Sequence, residues 1–390
     1  MKLSNFLFVA FAFATFLKPA CFDILGFHAI NTFFNISRII VAVIVVSEYF
    51  FVRKKGPSKI LRYELLFFVC WFVSTFMSGK GFDSFFIFSI SILAFTMLVE
   101  LMIEKDLRSL INALFINYFI LISINLFHMI SIFGFTVNIE DNATELFNFY
   151  SENSMVSLLA SVNGTASFLF PALCSAILLM LSTNKKNLIA WLLIIEILTT
   201  VLILWSATSL VGVFLIVSYI LFVYDTPKVH KIRYKTIVSV VVLLGLGITF
   251  FKIQNLFSFI IVDILHKDLT MTGRTNVWNI GFDGFFSSPF IGCGYSATTI
   301  DNGYIQLLYI GGILGTICYS VFLYKIIKRI CNKKASQLEC FFSVVIAVVL
   351  LMFIAESWPR FIGLYIILAF AVNAKKIELE LSKNINLMKR

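Results

Sequence analysis

Long, almost uninterrupted apolar runs constrain the fold of this chain most strongly. Runs of about 15–25 residues recur along it, and a membrane-spanning helix needs about 20 apolar residues. Hydrophobic residues make up 60% of the 390 residues and charged residues 13%, whereas a soluble domain is typically about 45–50% apolar and about 25% charged. A membrane barrel would show strands of alternating polarity, which unbroken apolar runs exclude. We therefore expect an all-α, polytopic integral membrane protein.

The apolar runs predict about twelve transmembrane helices in a single transmembrane domain that covers residues 1–390. The first run follows Lys2 and resembles a signal peptide, but Lys18 and Pro19 stand where cleavage requires small residues. We therefore expect a retained first helix. The predicted spans are 3–17, 31–52, 62–79, 85–103, 107–137, 155–183, 188–204, 209–224, 236–254, 302–324, 338–355 and 361–373.

Positive charge predicts the orientation, because cytoplasmic connections carry an excess of Lys and Arg. Most of the 31 Lys and Arg residues fall in every second connection and at both ends of the chain, so both termini are expected in the cytoplasm. A net charge of +10 would also suit a nucleic-acid partner, but the membrane accounts for these clusters, and no nucleic acid is expected. The opposite set of connections holds Lys18, Arg38, Lys80, Lys252, Lys267, Arg274 and Arg360.

The predicted cytoplasmic connections are short, without a phosphate-cradling loop or a folded domain, which excludes a nucleotide-driven pump. By contrast, residues 255–300 form one large extracytoplasmic loop, and loops above about 12–15 residues are usually functional or disordered. The Trp, Phe and Gly content of this loop favours order. Its cysteines and histidines lack metal-ligand spacing and the outer face has no Asp-x-Asp, so neither a metal nor another cofactor is expected.

A short amphipathic helix is expected inside the 255–300 loop, with Thr272 as its N-cap. Arg274 falls in its first turn, where free backbone N–H groups, the helix dipole and a guanidinium together favour an anion. A diphosphate at the membrane surface is one such anion, and ordinary lipid headgroups are the alternative. One face of this helix carries Val277, Trp278, Gly281, Phe282 and Phe285.

Charged residues at three other outer positions are further candidates. Asp301 precedes the tenth predicted helix, either as its N-cap or as a carboxylate that partial removal from water suits to general-base chemistry. Glu356 and Arg360 share one five-residue connection. Arg38 lies about two turns inside its helix, where it either reaches the lipid headgroups or binds an anion. Gly311 and Gly315 have the spacing of a helix-packing pair.

Three ordered segments of the chain resemble the O-antigen polymerase and ligase superfamily, with the strongest likeness to Wzy-type repeat-unit polymerases. They are Thr272-Gly-Arg-Thr-Asn-Val-Trp278, Ser288-Pro-Phe-Ile-Gly-Cys-Gly294 and the segment from Asp301 to Gly315. Two positions depart from the pattern. Many relatives carry a Ser-Arg pair where this chain has 206–210 without an Arg, and ligase-like members tend to have His-Asn where this chain has Asp301-Asn302.

The resemblance implies a GT-C-like membrane glycosyltransferase in the bacterial plasma membrane. Donor and acceptor would both be undecaprenyl-diphosphate-linked oligosaccharide repeat units, joined on the outer face into O-antigen, capsule or exopolysaccharide. No nucleotide sugar or metal would take part. Membrane lipids, a chain-length regulator and a flippase are the other partners that the family suggests.

Residue roles follow from the same motif match. Arg274 would stabilise the leaving diphosphate, with Arg360 as its partner and Arg38 as a further cation, and Asp301 or Glu356 would accept the proton of the attacking hydroxyl. Trp278 and Tyr304 would stack on sugar rings. The remaining substrate-binding candidates are Gly273 and Asn302.

Two other functions remain open on the sequence. A ligase-type transferase would share most of the motif. A flippase for the same lipid-linked units would suit an even number of spans, but it predicts charges along the bundle centre and short loops on both faces.

Overall fold

A computed structural model describes residues 2–24, 26–53, 56–133, 157–183, 187–251, 253, 274–296, 298–332 and 334–388. Within these ranges the regular elements are helices and no strand occurs, in agreement with the all-α prediction. The helices are α1 (Leu3–Phe16), α2 (Cys21–Ile24), α3 (His28–Arg53), α4 (Lys59–Ser78), α5 (Phe82–Lys105), α6 (Leu107–Phe133), α7 (Ala166–Ser182), α8 (Leu188–Leu204), α9 (Ala207–Tyr219), α10 (Tyr234–Phe251), α11 (Arg274–Ser287), α12 (Gly303–Ile330), α13 (Gln337–Met352) and α14 (Ile362–Met388).

Seven helices among the described residues are long and apolar enough to cross a membrane, and the protein is a multi-pass membrane protein on this criterion. They are α3, α4, α5, α6, α9 with its π-helical extension Ile220–Tyr224, α10 and α12. Four further apolar helices, α1, α7, α8 and α13, have 10–17 residues. With α14, each of the twelve predicted spans has a helix among the described residues, and seven of these helices meet the length and hydropathy criterion for a span.

The predicted helix 155–183 is wrong at its start, because α7 begins only at Ala166. Residues 157–165 form a polar loop instead. The buried side chain of Asn125 accepts hydrogen bonds from Ser157 Oγ and Leu158 N at 3.1 and 2.8 Å, and Thr165 Oγ1 lies 3.2 Å from Ser157 Oγ. These bonds satisfy polar groups that a continuous helix would have left buried without partners.

The chain divides into two compact units. Unit 1 comprises residues 1–56, 90–226 and 362–390, and unit 2 comprises residues 57–89 and 227–361. In unit 1, α1 packs on α6, and α7 packs on α6, α8 and α14. An ion pair also joins α14 to α5 in this unit, where Lys376 Nζ lies 2.6 Å from Glu104 Oε1.

Unit 2 is built around the contact between α4 and α12. A Cβ on Gly311 would lie 2.8 Å from the Trp71 ring, and one on Gly315 would lie 3.1 Å from it. The two glycines therefore let the buried indole of Trp71 approach the α12 backbone. This confirms the predicted packing role of Gly311 and Gly315.

α12 is interrupted at Gly312, whose backbone (φ 55°, ψ −158°) is not helical. In an unbroken helix the carbonyls of Tyr309 and Ile310 would accept from the residues four positions ahead. Here they accept from Cys293 N and Gly294 N, at 2.7 and 3.1 Å. The loop that precedes α12 thus supplies donors for the carbonyls released by the break.

The same loop also accepts from the N–H groups on the far side of the break. Ile313 N donates to Pro289 O at 2.8 Å, and Leu314 N donates to Phe290 O at 3.2 Å. A Cβ on Gly312 would lie 2.5 Å from the Phe290 backbone, so only glycine admits this approach. Since unpaired backbone groups are costly in a membrane protein, the 288–294 loop is an integral part of the bundle.

Candidate functional site

The short helix expected in the large loop is present as α11, and Arg274 is its first residue. The first turn of a helix carries unpaired N–H groups and partial positive charge, so this end of α11 favours an anion. Gly273 and the predicted cap Thr272 lie outside the described residues, as does the rest of the 255–300 loop before α11.

Trp278 connects α11 to the turn in front of α12. Its indole Nε1 donates to the backbone oxygen of Asp301 at 3.2 Å, and its side chain is buried. Gly281, one turn further along α11, faces Ile305, whose side chain would lie 2.5 Å from a Cβ at that position. Arg274 lies about one turn before Trp278 on the same helix, so α11 brings its N-terminal turn towards Asp301.

Asn302, and not Asp301, is the N-cap of α12. Its Oδ1 accepts from Tyr304 N and Ile305 N at 3.0 and 3.1 Å. Its Nδ2 donates to Thr249 Oγ1 and to Ile354 O, also at 3.0 and 3.1 Å. The predicted capping role of Asp301 is therefore wrong.

Asn302 is fully buried, and an amide side chain has two donors and two acceptor positions. All four are used within unit 2, so Asn302 has a structural role, and its predicted substrate contact stays a prediction. Tyr304 is similar, because its hydroxyl donates to Leu350 O at 2.9 Å and its ring packs edge-on against Phe353. The rings of Trp278 and Tyr304 are both buried, and their sugar stacking stays a prediction.

The connection after α13 joins the same end of unit 2. Gly303 N donates to Phe353 O at 2.6 Å, which fixes this connection beside the start of α12. Glu356 is buried there. A 3₁₀ turn, Trp358–Arg360, follows it, with Pro359 at its start.

Arg360 contacts the loop between α11 and α12 in two ways. Its Nη1 donates to Thr298 O at 2.7 Å, and its Cζ lies 4.4 Å from the centre of the Tyr295 ring. Burial raises the pKa of the Tyr295 phenol above its usual value, and the charge of Arg360 and a hydrogen bond with its side chain offset part of that rise. Arg274, Asp301, Glu356 and Arg360 are thus all carried by segments that meet at one end of unit 2.

Arg38 belongs to unit 1, where its side chain contacts the end of α1. Its Nε donates to Thr15 O at 2.8 Å and its Nη2 to Phe16 O at 3.2 Å. The last carbonyls of a helix have no intrahelical partner, so Arg38 stabilises the C-terminus of α1. Its predicted anion contact stays a prediction.

Ser206 is the N-cap of α9. Its Oγ accepts from Ser209 N at 3.4 Å and donates to Asn163 Oδ1 at 2.8 Å. The position therefore anchors the polar 157–165 loop of unit 1.

Tyr295 and Thr298 were not among the predicted site residues. The available signal was Gly292-Cys-Gly294, since both glycines have positive φ (86° and 77°) and introduce a tight turn directly before Tyr295. No sequence feature indicates that Arg360, 65 positions later, contacts this ring.

Comparison with known proteins gives no match to a family model, to a curated protein or to a solved structure.

Proposed function

We propose that this protein is a polymerase that joins lipid-diphosphate-linked oligosaccharide repeat units on the outer face of the bacterial plasma membrane. In this proposal the chain has twelve spans, a GT-C-like arrangement and both termini in the cytoplasm. One observation carries it: α11, the 298–302 turn and the 356–360 connection meet at one end of unit 2, and the residues they bring there include Arg274, Asp301, Glu356 and Arg360.

These residue types suit glycosyl transfer from a diphosphate. A hydroxyl oxygen of the acceptor sugar forms the new bond to the donor's anomeric carbon, and the bond from that carbon to the diphosphate oxygen breaks. The diphosphate leaves with the electron pair, and Arg274 and Arg360 stabilise its developing charge. A carboxylate accepts the hydroxyl proton; Asp301 is half-buried and Glu356 is buried, so Asp301 is the better placed to meet a substrate.

The proposal requires that two lipid-linked units reach one site with their reacting atoms in contact. No ATP-binding element is needed, because the donor already carries a diphosphate leaving group.

Deletion of the gene in the native host tests this function. The proposal predicts that long polymer disappears and single lipid-linked repeat units accumulate on the outer leaflet, with restoration by the wild-type gene. Accumulation on the inner leaflet would identify a flippase, and accumulation of full-length polymer on the carrier lipid would identify a ligase. Unchanged polymer would contradict all three.

Substitutions at the proposed reacting groups test the assignment of roles. Arg274→Ala and Arg274→Lys should both leave single-unit products, because lysine keeps the charge but lacks the planar pair of donors that matches a diphosphate. Arg329→Lys is the matched control, because Arg329 is an exposed arginine near the C-terminus of α12, at the opposite end from Asp301. Long chains from Arg274→Ala would refute the diphosphate role.

Asp301→Asn should also abolish polymer while the protein still folds and inserts. Normal turnover in that variant would transfer the role of base to Glu356, which Glu356→Gln then tests.

A further inference from the structure

The backbone of Tyr295 is fixed by contacts with α4 and with the turn after it. Its N–H donates to Thr75 Oγ1 at 2.9 Å. A Cβ on Gly81 (φ 72°) would lie 1.8 Å from Tyr295 O, so the turn can approach this carbonyl only because residue 81 is glycine. The position of Tyr295 is therefore set before any ligand arrives.

The Tyr295 ring is fixed as well. It is buried and lies against three other rings of unit 2, stacked on Phe88 with centres 5.2 Å apart and tilted against Phe85 and Trp71 at 5.8 and 6.5 Å. This aromatic cluster leaves the ring little freedom to rotate. Its contact with Arg360 is consequently a contact with a rigid surface.

Arg360 lies on that surface, with its guanidinium carbon 4.4 Å from the ring centre, inside the range of about 6 Å for a cation–π interaction. The hydrogen bond to Thr298 O fixes it in a second direction. A guanidinium has five N–H groups, more than the bond to Thr298 uses, and the residue is half-exposed. An arginine that is already ordered loses less side-chain freedom when it binds an anion.

We infer that Tyr295 is a positioning residue that holds the Arg360 guanidinium ready to bind a phosphate-type anion. The inference rests on the proposed function, in which that anion is the diphosphate of the lipid-linked unit. Tyr295 acts through Arg360, which its ring face supports and its phenol oxygen contacts by a hydrogen bond; the inference assigns the larger contribution to the ring face. A phenyl ring at position 295 should therefore preserve most of this role, and an aliphatic side chain of similar size should lose it.

Affinity for inorganic pyrophosphate tests this role, measured by titration calorimetry on the purified full-length protein in phosphatidylcholine nanodiscs. Tyr295→Leu should weaken binding roughly 3- to 30-fold, the range of a cation–π interaction, whereas Tyr295→Phe should stay within about threefold of wild type. Phe13→Leu is the matched control, because it removes a fully buried ring of unit 1 that packs against Phe95. Thermal midpoints of all variants establish that they fold.

A double-mutant cycle separates positioning from general structural support. In an Arg360→Met background, Tyr295→Leu should cause no further loss of pyrophosphate affinity. If it causes the same loss as in wild type, Tyr295 is merely structural and the inference is wrong. Where Arg360→Met alone abolishes binding, the Phe and Leu variants at 295 decide: equal weakening by both, or no weakening by Leu, overturns it.

The same experiment distinguishes this inference from the proposed function. Pyrophosphate binding with the predicted coupling, in a protein that makes no polymer, would retain the anion site and reject the polymerase. Polymer formation without the coupling would reject the role of Tyr295 alone. If wild-type protein does not bind pyrophosphate, the positioning role of Tyr295 is also rejected.

Discussion

Replacing Asn302 by Asp should destabilise unit 2 although the two side chains have nearly the same shape. The Asp carboxylate still accepts from Tyr304 N and Ile305 N, so the cap of α12 is retained. Negative charge at a helix N-terminus even contributes about 0.3–1 kcal/mol. The side chain can no longer donate, however, and both groups that Nδ2 contacts are buried: Thr249 and Ile354 O.

The two lost donations differ in their consequences. The Thr249 hydroxyl rotates and donates to the carboxylate, so little is lost there. Ile354 O is left with a carboxylate oxygen where it had an N–H donor. A buried acceptor without its partner costs about 1–3 kcal/mol, and more beside a charge. This exceeds the gain from the helix dipole, and we expect a net loss of about 2 kcal/mol.

Asn187→Asp is the matched control. Asn187 caps α8 through the same pair of backbone bonds, at 3.0 and 3.4 Å, but its Nδ2 donates to Thr183 Oγ1 at an exposed site. The free energy of unfolding of Asn187→Asp should stay within about 0.5 kcal/mol of wild type. SDS titration of the purified protein in detergent micelles measures the free energy of unfolding of both variants. Equal stability of Asn302→Asp and wild type, or equal losses in the two variants, would refute the reasoning.

Two further predictions concern stability. Gly312→Ala should lose more than Gly79→Ala: both glycines have positive φ (55° and 65°), but a Cβ at 312 meets the Phe290 backbone and one at 79 meets nothing within 4 Å. We expect about 1 kcal/mol for Gly79→Ala and at least about 2–3 kcal/mol for Gly312→Ala, measured by the same titration; equal losses would contradict the interlocked loop. Burial raises the pKa of Asp106, but hydrogen bonds from Lys2 N and Ser109 outweigh it and hold the pKa below its usual value. The stability it contributes is therefore present above the unfolded pKa of about 3.9 and is lost as pH falls through the lower folded value; Asp106→Asn should narrow the difference in thermal midpoint between pH 6 and pH 3, and an unchanged difference would contradict the assignment.

The helices could be predicted from the sequence because they depend on local hydrophobic runs. The predicted span 188–204 coincides with α8, and the span 209–224 differs from the helical segment Ala207–Tyr224 only at its start. The error at 155–183 arose because apolar residues also occur within the 157–165 loop, so the apolar run does not end where the helix begins. There Asn125, some 30 residues earlier, supplies the partners that replace helical hydrogen bonds.

The site was predictable in its residue types but not in their arrangement. Asp301 and Asn302 are both good helix caps, and the choice between them depends on Thr249 and Ile354, each about 50 positions away. Likewise, the glycines of the 288–294 loop indicate a turn, but not that the turn fills a break at Gly312. Such long-range contacts cannot be recognised from the local sequence pattern.

The side of the membrane on which Arg274 lies tests the account most directly, because every step of the proposed reaction is assigned to the outer face. Arg274→Cys and, as the control on the predicted cytoplasmic side, Arg329→Cys are made in a background that lacks the seven native cysteines. Intact cells are then treated with a membrane-impermeant maleimide. We predict that position 274 is labelled in intact cells and position 329 only after permeabilisation. Labelling of 274 only after permeabilisation would contradict the account.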